Sequence, residues 1–187
     1  VLLVQIASLL ALASPGGFAQ IRGNVSLSHG RVGASAVVFL EGAVRSHPLS
    51  KFVVDQRDRR FTPHISVVTV GTEVQFPNHD TIFHNVFADY DAKRFDLGMY
   101  PRGTEKREIF NKPGVVALMC SIHPDMSAFI IVVDTPYYTI ADKSGHFVLS
   151  NIPVGTYTLR VWHESGQIES QRITVNGDAL INVQTHR

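Results

Sequence analysis

The chain has 187 residues, with 17 Lys and Arg against 16 Asp and Glu for a formal charge of +1, and a single cysteine. A balance this even carries no basic footprint for nucleic acid and favours no polyanionic partner, and one cysteine excludes an intramolecular disulfide framework. Apolar residues make up 44% of the sequence, enough for a substantial core.

The first segment, VLLVQIASLLALASPGGFAQ, is mostly apolar through residue 13 and then breaks at Pro15 and the Gly16-Gly17 pair. This is the pattern of a secretory leader followed by a cleavage zone. Gly17 and Ala19 are the small residues third and first before Gln20, which predicts cleavage after Ala19 and a signal peptide over residues 1–19 that continues upstream of Val1. The apolar run is shorter than the roughly 20 residues a membrane span needs. The mature chain is therefore expected to be periplasmic or otherwise exported, with no transmembrane span after cleavage.

The remaining sequence reads as β almost throughout. IRGNVSL, ASAVVFLEG, ISVVTV, EVQFPN, GVVALMC, SAFIIVVD, HFVLS, TYTLRVWHE and IESQRITV are short runs rich in Val, Ile, Thr, Phe and Tyr. VGTE, KPG, DKSGH and NIPVG punctuate them with Gly and Pro turn signals. Strands recurring every 8 to 12 residues or so predict sandwiches or barrels rather than βαβ units. Residues 89–104 are the exception, reading as a loop-like stretch with a short strand or turn around FDLGMY. Asp142 in DKSGH is one acidic residue in a Gly turn, and reads as a hairpin rather than a calcium loop.

Export constrains the lone cysteine. In an oxidising compartment an unpaired thiol must be buried, joined to another chain or protected by a ligand. Cys120 opens the run CSIHPDM, which adds His123 and Met126, and FHNVFADY supplies His84 at a strand end upstream. Two imidazoles, one thiolate and a weak thioether form the donor set of a blue-copper electron-transfer site, and zinc makes little use of Met. Singly, Cys120 could be a core thiol, His84 a satisfied strand-end histidine and Met126 a gap filler. Their order and spacing in an exported chain favour the metal reading. His29, His47, His64, His79, His146, His163 and His186 form no ligand-spaced pair, and His79 beside Asp80 reads as a loop residue.

With VTVGTEVQFPN, HNV at His84–Val86, NKPGVVALMC and CSIHPDM in view, residues 50–134 resemble a cupredoxin, and more narrowly the amicyanin branch. The Cys-x-x-His-x-x-Met spacing is that branch's short ligand loop, whereas plastocyanin-like loops are two residues longer before the methionine. The resemblance implies one type 1 copper site ligated by His84, Cys120, His123 and Met126. It also implies a supporting role for Asn85, whose side chain would tie to the loop near Ser121, and a partner-docking patch of Ile122, Pro124 and Asp125 around the surface edge of His123. Methylamine dehydrogenase is the electron donor it suggests. Ile122 and Asp125 stand where the family loop has proline and phenylalanine, which alters the surface a partner would meet.

The flanks resemble a second module. YYTIADKSGHFVLSNIPVGTYTLRVWHESGQIESQRITV is similar to the latter half of a carboxypeptidase regulatory-like or transthyretin-like β-sandwich, and IRGNVSLSHGRVGASAVVFLEG to its opening strands. The expectation is a discontinuous sandwich of residues 21–48 and 135–187 with a cupredoxin domain, residues 49–134, inserted into it. A tandem arrangement, in which the N-terminal strands extend the cupredoxin, stays open.

Three functions follow: a one-electron carrier between a redox donor and acceptor, a copper-sequestering or copper-delivery protein using the same ligands, and an adhesion or scaffold protein whose metal is structural. The chain lacks the clustered His-x-His pairs of a multicopper centre, which argues against an oxidase and for a protein that is not an enzyme.

Overall fold

A computed structural model describes residues 17–165 and 167–185. Most of the expected leader, residues 1–16, lies outside the described residues, as does His186. Among the described residues the fold is all-β, with one 3-10 turn at Ser28–Gly30. No helix among the described residues is long and apolar enough to cross a membrane. Backbone contacts divide the chain into two compact units, one running to residue 44 and resuming at 137, the other covering 45–136.

The first unit opens with β1 (Phe18–Ser26) and β2 (Val37–Glu41). Phe18 and Ala19, at the expected cleavage point, already pair within β1 opposite Pro153 and Ile152. The second unit follows with β3 (Phe52–Val53), β4 (Asp55–Arg57), β5 (Arg60–Thr62), β6 (Ile65–Thr69), β7 (Thr72–Pro77), β8 (His84–Tyr90), β9 (Lys93–Tyr100), β10 (Glu105–Phe110), β11 (Gly114–Met119) and β12 (Ser127–Val133). The chain then returns to the first unit through β13 (Tyr138–Ile140), β14 (His146–Pro153), β15 (Gly155–His163), β16 (Gln167–Val175), β17 (Ala179–Leu180) and β18 (Val183–Gln184).

In the second unit a five-stranded sheet runs β6-β12-β11-β8-β9 and a three-stranded sheet runs β10-β7-β3. β12 lies between β6, with which it is parallel, and β11, with which it is antiparallel. Its IIVV run is buried at every position, as an apolar strand without alternation must be. Side chains from the two sheets close a common core of Val74, Phe76 and Phe110 on one side and Val68, Val86, Leu118 and Ile130 on the other. Full burial of such side chains stabilises by about 1.5–3 kcal/mol each.

Residues 89–104 differ from the sequence expectation. They hold a full strand, β9, paired antiparallel with β8 from His84↔Tyr100 to Tyr90↔Lys93. The period of two is present in Phe95 and Leu97, which pack against the core, but Arg94, Asp96 and Gly98, which alternate with them, are exposed. An edge strand needs only one half-apolar face, so charged and glycine residues masked the alternation.

In the first unit β1 pairs with β14, β17 and β18, while β2 pairs with β13 and β15, and β15 with β16. Ile21, Val25, Val38 and Leu40 from the N-terminal limb share one core with Phe147, Leu149, Leu159, Val161 and Ile173 from the C-terminal limb. Asp142 caps its turn, its Oδ1 accepting the backbone N–H groups of Ser144 and His146.

Candidate metal centre

The sequence run CSIHPDM is the connection between β11 and β12. The last ladder pair is Met119↔Ser127, and beyond it the Cys120 N–H donates to the Met126 carbonyl at 3.2 Å while the Met126 N–H donates to the His123 carbonyl at 2.9 Å. These two bonds curl the loop, so that Cys120 and Met126 face into the core and His123 turns back over it. Cys120 and Met126 are 5% and 1% exposed and belong to the same apolar cluster.

His84 arrives from β8. That strand pairs antiparallel with β11 in the register Phe87↔Met119, so its first residues run past the end of β11 toward the loop. A register shift between Asn85 and Phe87 against β9 bends it there, as bulges beside functional sites commonly do. His84 is fully buried.

Three donor atoms converge. His84 Nδ1 and His123 Nδ1 are 3.1 Å apart, Cys120 Sγ is 3.6 Å from His123 Nδ1 and 3.9 Å from His84 Nδ1. The point equidistant from all three lies about 2.1 Å from each, against about 2.0–2.1 Å for ordinary metal–imidazole bonds and about 2.3 Å for metal–thiolate bonds. The set is therefore spaced closely enough to hold one first-row transition ion, and it is the one group of three such donors that stands out among the described residues.

The surroundings fix this geometry. Asn85, 2% exposed, accepts the Ser121 N–H on Oδ1 at 2.9 Å and donates from Nδ2 to Asp96 Oδ1 at 2.6 Å, which joins β8 to the loop and to β9. On the far side of the His84 ring, Nε2 donates to Asp80 Oδ2 at 2.9 Å. The Asp80 carboxyl is held well below the usual carboxylate range, at about 2, first by the Arg59 backbone N–H, then by the His84 hydrogen bond, against the opposing effect of burial. His123 is lowered from its ordinary value, chiefly by desolvation and then by the neighbouring His84 and Arg59, against the opposing effect of Asp80, which favours the neutral imidazole that can bind a cation.

His123 is partly exposed and borders an open surface depression with Asp58, Arg59, Asp80, Thr81 and Ile82. Ile122, Pro124 and Asp125 all lie exposed on the same loop, and Ile82 and Phe83, just before His84, are 39% and 52% exposed. Sequence reading missed Ile82, Phe83, Asp80 and Arg59. The only linear signal was Asp80 four residues before His84, in a stretch read as loop.

A family model described as polysaccharide lyase family 4, domain II, matches residues 132–183. The curated methylamine utilization protein MauL of Methylorubrum extorquens strain AM1 is 36% identical over 56 residues, or 29% of this chain and 49% of that protein. The chain thus spans about half the length of this relative.

Solved structures similar to the chain include a copper-containing nitrite reductase from Thermus scotoductus SA-01, with 28% identity, 50% of this chain, 24% of that chain and a TM-score of 0.44. A purple cupredoxin from Nitrosopumilus maritimus has 22% identity, 46% of this chain, 100% of that chain and a TM-score of 0.40. A reduced amicyanin variant has 19% identity, 51% of this chain, 98% of that chain and a TM-score of 0.42.

Proposed function

We propose that this chain is an exported copper protein with one type 1 site, ligated by His84, Cys120, His123 and Met126, and that it carries single electrons between redox partners. The observation that carries the reading is the convergence of His84 Nδ1, His123 Nδ1 and Cys120 Sγ within 3.9 Å of one another. Thiolate and imidazole together suit copper, and the thioether of Met126 at the end of the same loop disfavours zinc. Copper bound there supplies a one-electron couple.

The chain's own residues do the rest. Cys120 and His84 exclude water from the inner side, since both are buried. Asn85 holds the loop at Ser121, and the β11–β12 ladder holds its two ends. A donor set fixed this way changes little between two oxidation states, and small reorganisation is what rapid electron exchange requires. His123 offers the partly exposed edge through which a partner in contact with Ile122 and Pro124 would exchange electrons.

The MauL match supports a methylamine utilization setting, and the amicyanin-like loop supports methylamine dehydrogenase as donor. The apolar leader supports export to the periplasm or beyond. The two-unit division supports insertion of the copper-binding domain into a sandwich related to carboxypeptidase regulatory-like modules. Cyclic voltammetry of the copper-loaded chain tests the carrier function. A reversible one-electron wave with unchanged amide circular dichroism is expected, and irreversible loss of metal on reduction would instead mean delivery or storage.

A further inference from the structure

The Asp80 carboxylate is bound more completely than its position in a surface loop requires. Its Oδ2 accepts both the His84 Nε2–H at 2.9 Å and the Arg59 backbone N–H at 2.8 Å, and its Oδ1 accepts the Thr81 N–H at 2.9 Å. Its own N–H donates to Asn78 Oδ1 at 2.9 Å. Asn78 is fully buried and donates from Nδ2 to the carbonyls of Ile82 and Tyr100. The loop between β7 and β8 is therefore stitched so that one carboxylate oxygen is aimed at His84.

The Arg59 donor is placed by an unusual turn. Asp58 and Arg59, between β4 and β5, have φ of 52° and 55°. Consecutive left-handed residues are those of a tight hairpin turn that favours Asn and Gly, and non-glycine residues adopt it at some energetic cost. Here the turn delivers an N–H to Asp80, so its geometry is tied to the same oxygen that holds His84.

We propose that Asp80 is the positioning residue for His84: its carboxylate fixes the Nε2–H tautomer, leaves the Nδ1 lone pair facing Cys120 and His123, and makes the imidazole a stronger donor to an oxidised metal ion. An ionised carboxylate can only accept, so the neutral ring must carry its hydrogen on Nε2. A backbone carbonyl in the same place would orient the ring equally well but would bring no charge. The negative charge favours the more positive oxidation state, which lowers the reduction potential, and partners of this kind tune ligands at metal sites generally. The metal half of this inference rests on the copper reading above; the tautomer half does not.

The test uses the full chain in two states. In the metal-free wild type, 15N-detected imidazole NMR is expected to show His84 as the Nε2–H tautomer, and an Nδ1–H tautomer overturns the proposal. Asp80→Ala is expected to abolish that preference. In the copper-loaded protein, Asp80→Asn keeps an oxygen acceptor but removes the charge. Its Cu(II) affinity should fall about 10- to 100-fold, its Cu(I) affinity should fall less, and its potential should rise. An unchanged Cu(II)-to-Cu(I) affinity ratio in Asp80→Asn overturns the electronic role. Failure of the wild type to bind copper would defeat the functional reading, while the metal-free tautomer would still decide whether Asp80 positions His84.

Discussion

At the residue scale the proposed site turns on Cys120. Cys120 is buried among apolar side chains, and the polar ring atoms brought within 4 Å of its sulfur are the two histidine nitrogens. Cys120→Ser replaces a soft, covalent ligand with a hard one, so the copper-loaded variant is expected to lose the intense visible thiolate-to-copper band while retaining weak binding through imidazoles. Absorption spectroscopy reads this directly, and persistence of the band would refute thiolate ligation. Away from the metal, the Tyr100 hydroxyl is buried, accepts from Gln56 Nε2 at 2.6 Å and donates to the Phe76 carbonyl at 3.0 Å. Tyr100→Phe should destabilise the unit by about 1–2 kcal/mol, measured as a lower urea midpoint. The four proposed ligands were legible because CSIHPDM compresses three of them into one loop. Asp80 was not, because its importance lies in where a turn and a strand end meet, and neither position is visible in linear spacing.

At the element scale most strands were readable from β-branched and aromatic runs between Gly and Pro turns, and the exceptions have physical causes. β9 hid its alternation among charges because it lies on a sheet edge. β17 and β18 are two residues each and exist by parallel pairing to β1, which no local pattern announces. Their presence constrains β1 closely. A Cβ on Gly23 would overlap the Ile181 carbonyl oxygen and lie 2.7 Å from Phe147 Cε1. Gly23→Ala is therefore expected to destabilise the sandwich of β1, β2 and β13–β18 by about 1–3 kcal/mol or more. Thermal unfolding should show that transition lowered, with copper binding preserved; an unchanged midpoint would mean that β17 and β18 are not held against β1.

At the scale of the whole molecule, the ten strands β3–β12 and all four proposed ligands belong to residues 45–136. A polypeptide of those residues is expected to fold and bind copper alone, as domains with their own cores do; a collapsed amide spectrum would show that it requires the flanking limbs. Partner encounter belongs to this scale as well. Ile122, Ile82 and Phe83 expose apolar surface close in sequence to the two histidines, and Asp125 adds a charge on the loop. Ile122→Glu should slow electron exchange in stopped-flow mixing more than Asp125→Lys does, while Asp125→Lys changes chiefly the dependence on ionic strength. Equal rates for both variants and the wild type would place the exit elsewhere.

The central claim is that His84, Cys120, His123 and Met126 form a single copper site with a thiolate ligand. Titration of the metal-free full chain with Cu(II), followed in the visible range, tests it most directly. The account predicts an intense charge-transfer band that grows linearly and saturates at about one equivalent, as expected for one copper site that would combine a thiolate with two imidazoles and a thioether. Weak absorption alone, or a band that continues to grow well past one equivalent, would contradict it.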